Sequence, residues 1–275
     1  MDKILKIGHW YNSGDFLTLM PGLKHKYETF GVKTRVYQKL NMPVGDPNWS
    51  DHSVKNEVGV NTSMNQYMFE MMRPLVESQE YIESWVPWEG QEVDYDSIRS
   101  RDSRMIPIPH SDIHFWHFYM FPELTCDLGE AWIKLPPNGN VFNDIVISDH
   151  VIVNRTWRYT NPYISYYFLK EYENNLIFSG TEEEHKLFCE TFNLEMPRLI
   201  VKDFLELAQA LKSCRFFLGN QSLNFHIANS IKSKRILEVC ASYCNTLPHG
   251  KDGWAFLHQP ALEIIFRALF NNGQL

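Results

Sequence analysis

Asp15 follows Ser13-Gly14 and stands between an apolar run ending at Gly8 and a second one beginning at Phe16. A carboxylate at a strand-to-helix turn is exposed enough to take a proton from a hydroxyl. The same position suits an aspartate that caps a helix. The two roles are compatible. Further on, Val153-Asn-Arg-Thr-Trp-Arg places Arg155, Thr156 and Arg158 just past a strand pattern. Guanidinium forks there can bind phosphate oxygens or make surface ion pairs. Gly219-Asn220-Gln221-Ser222 forms a polar turn between the apolar run Phe216–Leu218 and a helical pattern carrying Leu223, Ile227 and Ile231. A strand, a polar turn and a helix start aim backbone N–H groups at one point, which suits a diphosphate and also describes an ordinary β-to-α connection.

Two further residues ask for an explanation. Glu238 interrupts the apolar run Ile236-Leu237-Glu238-Val239-Cys240. A carboxylate in a buried strand needs partners, either ligand hydroxyls or a cation such as Lys234 or Arg235. His226 follows the polar turn and faces either a ligand or the core. His110, His114 and His117, with Asp112 nearby, have a spacing that allows metal ligation. The surrounding Phe115, Trp116, Phe118, Tyr119 and Phe121 favour a buried aromatic helix instead, and no metal is expected. Gly-x-Gly-x-x-Gly, the phosphate-binding P-loop and the Gly-x-Ser-x-Gly elbow are all missing from the sequence. That argues against dehydrogenase, kinase and α/β-hydrolase chemistry.

The elements that must position these residues alternate. The pattern predicts a strand over 4–8, then a helix with Phe16, Leu19, Leu23 and Tyr27 on one face. Pro21 marks a kink or a late start, and Phe30-Gly31 closes the helix. A strand over 34–37 follows, then a loop over 41–65, a helix over 64–78, a strand over 81–86 and loose chain over 87–109. The turn-rich stretch 127–140 ends the first half, which sets domains at 1–146 and 147–275. The second half reads as a strand over 151–154, a helix over 163–172, a strand over 176–179 and a helix over 182–192. A short strand over 199–201 and a helix from Asp203 come next, then strands over 215–218 and 235–239 and a last helix over 254–270.

At 275 residues, with 44% hydrophobic and 14% aromatic side chains, the chain buries a substantial core. No apolar run reaches the ~20 residues of a membrane-spanning helix, and Met-Asp-Lys-Ile-Leu-Lys-Ile lacks a signal-peptide core. A cytoplasmic location is expected. The five cysteines (126, 189, 214, 240 and 244) read as free thiols, and the Asn-x-Ser/Thr sequons at 48, 61, 154 and 220 read as chance matches. Residues 1–146 hold 13 basic against 20 acidic side chains, and the rest hold 13 against 13. An acidic first half argues against nucleic acid or an anionic membrane as the main partner, and the neutral second half is the better host for a phosphorylated ligand.

Two stretches together resemble the heptosyltransferase-like glycosyltransferases of family 9. Asn12-Ser-Gly-Asp-Phe-Leu-Thr-Leu-Met-Pro-Gly-Leu-Lys is similar to the family's opening, with Gly14, Asp15, Pro21 and Leu23 matching and Gly22 in place of alanine. Leu176-Ile-Phe-Ser-Gly, Glu183-Glu184, Asp203–Leu211, Phe217-Leu-Gly-Asn-Gln-Ser, His226-Ile-Ala and Arg235-Ile-Leu-Glu fall in the order of its donor domain. Where heptose-transferring members carry Asp-Thr-Gly, this chain has Asn220-Gln221-Ser222. The resemblance implies an α/β, GT-B-like fold: two Rossmann-type domains facing across a cleft, the N-terminal one reduced, with the last helix packing back on it. It implies an inverting, metal-independent glycosyltransferase whose only cofactor-like group is the nucleotide-sugar co-substrate. Asp15 is then the base. Gly14, Arg155, Thr156, Arg158, Asn220, Gln221, Ser222 and His226 lie on the donor, and Glu238 on its ribose. The acceptor is a glycan, a protein or a small molecule. The alternative is a non-catalytic nucleotide-sugar or glycan-binding module on the same fold.

Overall fold

The computed structural model describes residues 4–44, 54–101, 111–136, 141–142 and 144–273. The chain divides into two compact units, one of residues 1–127 with 202–205, the other of 128–201 and 206–275. Residues 128–146 thus group with the second unit, where the Trp132 and Ile133 N–H groups donate to the Ser230 carbonyl and Lys232 Nζ donates to the Leu128 carbonyl.

The first unit is a parallel sheet of β1 (Ile4–His9), β2 (Lys33–Gln38), β3 (Ile82–Pro87) and β4 (Tyr95–Asp96) in the order β3-β2-β1-β4. Its helices are α1 (Ser13–Phe30), α2 (Gln66–Glu77) and α3 (Ile113–Met120). Pro21 lies inside α1, which runs unbroken from Ser13, so it does not delay the start. The helix ends at Gly31, whose φ of 67° suits glycine. Gly22 has a local reason: a Cβ there would lie 2.7 Å from the Leu124 carbonyl oxygen. Of the tract 87–109, residues 102–109 lie outside the described residues; within 87–101, Tyr95–Asp96 pairs with β1 and a 3-10 turn (Ser97–Arg101) follows it.

In the second unit β7 (Val151–Asn154), β8 (Leu176–Phe178), β9 (Phe216–Asn220), β10 (Arg235–Glu238) and β11 (Gly253–Phe256) form a parallel sheet in the order β11-β10-β9-β7-β8. A small antiparallel pair, β5 (Val141–Phe142) and β6 (Ile145–Val146), precedes it. Its helices are α4 (Glu182–Phe192), α5 (Phe204–Ser213), α6 (Leu223–Ser230) and α7 (Gln259–Asn272). Strands buried on both faces read as continuous apolar runs, as Val151–Val153 and Phe216–Leu218 do.

Three expected elements differ from those observed. Residues 163–172 are not an α-helix; a 3-10 segment covers Tyr167–Asn175. Residues 199–201 form no strand, the nearest pairing being the single bridge of Arg198 with Phe178. Trp254–Phe256 belongs to edge strand β11, and the helix starts only at Gln259, capped by His258. Its buried face, Leu262, Phe266 and Leu269, lies in the second unit's core, beside Phe216 and Ile236.

In each sheet the chain moves outward on one side of a central strand and then returns to its other side. These switch points lie at the carboxyl ends of β1 and β4 in the first unit, and of β7 and β9 in the second. Open α/β sheets bind ligands at such points.

Candidate functional site

At the first switch point, β1 ends at His9 and the turn Trp10–Asn12 leads into α1. Asp15 is the third residue of the helix, and its Oδ2 accepts the Asn12 N–H at 3.3 Å. Asn12 is therefore the N-cap and Asp15 the N3 partner in its capping box, where an acidic side chain also suits the helix dipole. Gly14 lies beside it in the first turn. The Asp15 carboxylate is buried, and its Oδ1 is paired with the guanidinium of Arg101 from the 3-10 turn after β4. Arg101 lies over the rings of Tyr11 and Trp116, 5.0 and 4.7 Å from their centroids. Next to it, Asp96 accepts from Trp10 Nε1 at 2.6 Å.

Two buried histidines complete this end of the sheet. Gln38 Nε2 donates to the Tyr11 and Lys39 carbonyls, so its Oε1 faces His9 Nδ1 at 2.7 Å and the proton sits on that nitrogen. His9 Nε2 is then a bare lone pair with no hydrogen-bond partner among the described residues. His117 Nε2 contacts Thr18 Oγ1 at 3.2 Å. The Thr18 hydroxyl itself donates to the Asp15 carbonyl at 2.7 Å. His117 Nδ1 is the second unpartnered acceptor. Burial pushes the pKa of His9 down to about 4 against a lesser opposing pull from Gln38, and holds that of His117 well below its ordinary value. Both rings are neutral at pH 7.

The histidines of the metal reading go separate ways. His110 lies outside the described residues. His114 Nδ1 contacts Asp112 at 2.5 Å, and Asp112 also caps α3 by accepting the His114 N–H. His117 turns to Thr18.

The second switch point is occupied differently. Asn220 ends β9, so the polar turn starts at Gln221, two residues later than expected. Its side chain accepts the Thr156 N–H at 3.1 Å and donates to the carbonyls of Thr156 and Arg158 at 2.9 and 2.8 Å. Gln221 accepts the Cys240 N–H at 3.0 Å and donates to Asn245 at 2.6 Å. Ser222 caps α6, accepting the Phe225 N–H. Asn224 and Asn154 both donate to the Ser179 carbonyl, at 3.1 and 2.6 Å. The Asn220 and Gln221 side chains thus hold the loops around the turn. In the first turn of α6 the Leu223 and Asn224 N–H groups have no carbonyl to meet within the helix, while that of Phe225 is taken by the Ser222 cap. His226 is buried in that helix, its N–H on the Ser222 carbonyl and its own carbonyl accepting from Ser230 Oγ.

Arg155 and Glu238, both expected on the donor, are bound to each other. Arg155 Nε and Nη2 meet the two carboxylate oxygens at 2.8 and 2.9 Å. Glu238 is fully buried and also accepts the Asn161 N–H and the Tyr166 hydroxyl, each at 2.6 Å. Burial opposes the Arg155 charge, but the carboxylate outweighs it and the pKa stands above its ordinary value. Burial also raises that of Tyr166. A ribose contact by Glu238 would require these four bonds to open. Arg158 is half-buried between the rings of Trp157 and Tyr159.

No protein-family model matches the sequence, and no curated protein is significantly similar to it. Solved structures are similar. E. coli heptosyltransferase WaaC, determined with ADP-2-deoxy-2-fluoro heptose, aligns at a TM-score of 0.57 and 11% identity, over 96% of this chain and 99% of WaaC. A family 9 glycosyl transferase from Veillonella parvula aligns at 0.58 and 9%, over 98% and 89%. E. coli ADP-heptose LPS heptosyltransferase II aligns at 0.50 and 12%, over 92% and 90%. This chain has the heptosyltransferase fold. At these identities the likeness is one of architecture: α/β, with two parallel sheets and flanking helices.

Sequence reasoning missed Arg101, His9, Gln38 and Thr18 around Asp15. The signal for Arg101 was slight: Arg99 and Arg101 stand close together in an acidic half, after an alternating Glu92-Val-Asp-Tyr-Asp. His9 directly follows the first apolar run, where a lone polar residue gives no signal of its own.

Proposed function

We propose that this protein is an inverting, metal-independent glycosyltransferase that moves a sugar from a nucleotide-sugar to an acceptor hydroxyl. The observation that carries the reading is Asp15: a buried carboxylate at a sheet switch point, in a chain with the heptosyltransferase fold. Asp15 takes the proton as the acceptor oxygen bonds to the anomeric carbon. The carbon–oxygen bond to the diphosphate breaks on the opposite face, and the electron pair leaves with the nucleoside diphosphate. Its charge falls to the N-terminus of α6 and to Arg158, so that no bound cation is required. Thr156, Asn220, Gln221 and Ser222 shape that donor site by fixing its loops. Arg155 and Glu238 brace it from behind. WaaC was determined with an ADP-sugar, which puts ADP-sugars first among the donors to try.

One observation favours the second reading, a non-catalytic nucleotide-sugar-binding module: the Asp15 carboxylate is already paired with Arg101 rather than awaiting a hydroxyl. A thermal-shift screen of ADP, UDP and GDP, followed by nucleotide release from the matching nucleotide-sugars with a panel of acceptor alcohols, separates the two. Stabilisation with release supports the transferase. Stabilisation with no release under any acceptor supports the module.

A further inference from the structure

We propose that Arg101 is the positioning residue for Asp15, an inference that rests on Asp15 being the base. From its own helix the carboxylate receives one bond, the Asn12 N–H at 3.3 Å on Oδ2. That leaves the group free to turn. Arg101 holds the other oxygen. The guanidinium is itself fixed, lying over Tyr11 from the turn before α1 and over Trp116 from α3. Trp116 is buried and anchored through its Nε1 on Ser111 Oγ at 2.5 Å. Three separate parts of the first unit thus converge on one carboxylate geometry.

The arrangement orients Asp15 without blocking it. A carboxylate offers about four lone-pair sites; the Asn12 N–H and Arg101 take two and leave the others for a hydroxyl. The planar fork matters as well as the charge. It can lie along aromatic faces while aiming an N–H at the carboxylate, which an ammonium cannot reproduce. Misplacing a reacting group by about 1 Å can cost on the order of 100-fold in rate.

The test follows nucleotide release from a donor sugar-nucleotide with wild type, R101A, R101K and D15N. R101A is expected to lose about 100-fold in kcat at unchanged donor KM. Millimolar guanidinium should restore part of the R101A rate, and R101K should stay impaired. A merely structural arginine would show neither the kcat-only loss nor the rescue. If R101A loses its cooperative thermal transition, R101Q is measured by the same kcat and rescue criteria. Wild-type kcat in R101A or R101Q beside an inactive D15N overturns the role of Arg101 and leaves the base assignment standing. Wild-type release in both D15N and R101A overturns the base assignment, and this inference with it.

Discussion

The switch point of the first sheet gathers charge and leaves acceptors open. Asp15 and Arg101 face each other there, and His9 and His117 each keep a buried nitrogen without a hydrogen-bond partner among the described residues. The switch point of the second sheet is bonded internally: Asn220, Gln221 and Asn224 tie loop to strand, and Glu238 collects four hydrogen bonds. Buried polar groups are normally satisfied, and those that are not mark sites of function or strain. Asn154 Oδ1, at the carboxyl end of β7, is also without a hydrogen bond among the described residues, so open acceptors alone do not separate the two sites. Their carboxylates do: Glu238 is engaged by four bonds, whereas Asp15 receives two.

Substitutions can break this contrast. The largest stability effect belongs to the second unit. Glu238→Ala leaves Arg155 as a buried charge without its carboxylate and should lower the unfolding free energy by about 3–5 kcal/mol in urea titration. An equal loss from Arg101→Ala would erase the distinction between the two sites.

Acid should expose the first site. With His9 at about 4 in the folded chain against 6.5 unfolded, the unfolded state binds more protons between those values. Stability therefore rises with pH across that window and falls as pH drops from 6.5 toward 4, by about 3 kcal/mol from this residue. His9→Phe should flatten that part of a stability-against-pH curve, whatever its effect at pH 7.

Smaller effects should follow at the turn of the second sheet. Asn220→Ala strips partners from the Thr156 N–H and two carbonyls, an expected loss of about 1–3 kcal/mol. It should also weaken nucleoside diphosphate binding, as read by thermal shift. Ser222→Ala removes only the cap of α6 and should cost about 1 kcal/mol.

How far these sites could be read in advance depended on sequence distance. Asp15 and Ser222 were legible because a strand, a short turn and a helical pattern lie within about a dozen residues, so local chemistry decides the geometry. The Arg155–Glu238 pair was not, although both residues had been singled out. They sit 83 residues apart, and their meeting depends on the order of strands in the sheet, which spacing does not encode. Arg101 follows a two-residue strand in a polar tract and meets Asp15 across 86 residues. The short edge strands gave the weakest signals for the same reason: Tyr95–Asp96 and Gly253–Phe256 are set by pairing with neighbours already in place rather than by their own pattern.

The claim that chemistry resides at the first switch point is tested most directly by Asp15→Asn. The substitution keeps the size of the side chain and can still accept the Asn12 N–H, but it removes the base. Nucleotide release from the donor sugar-nucleotide should fall by about 100- to 10,000-fold in kcat, while the thermal shift given by the nucleoside diphosphate stays as in wild type. Release at the wild-type rate from Asp15→Asn would contradict the account.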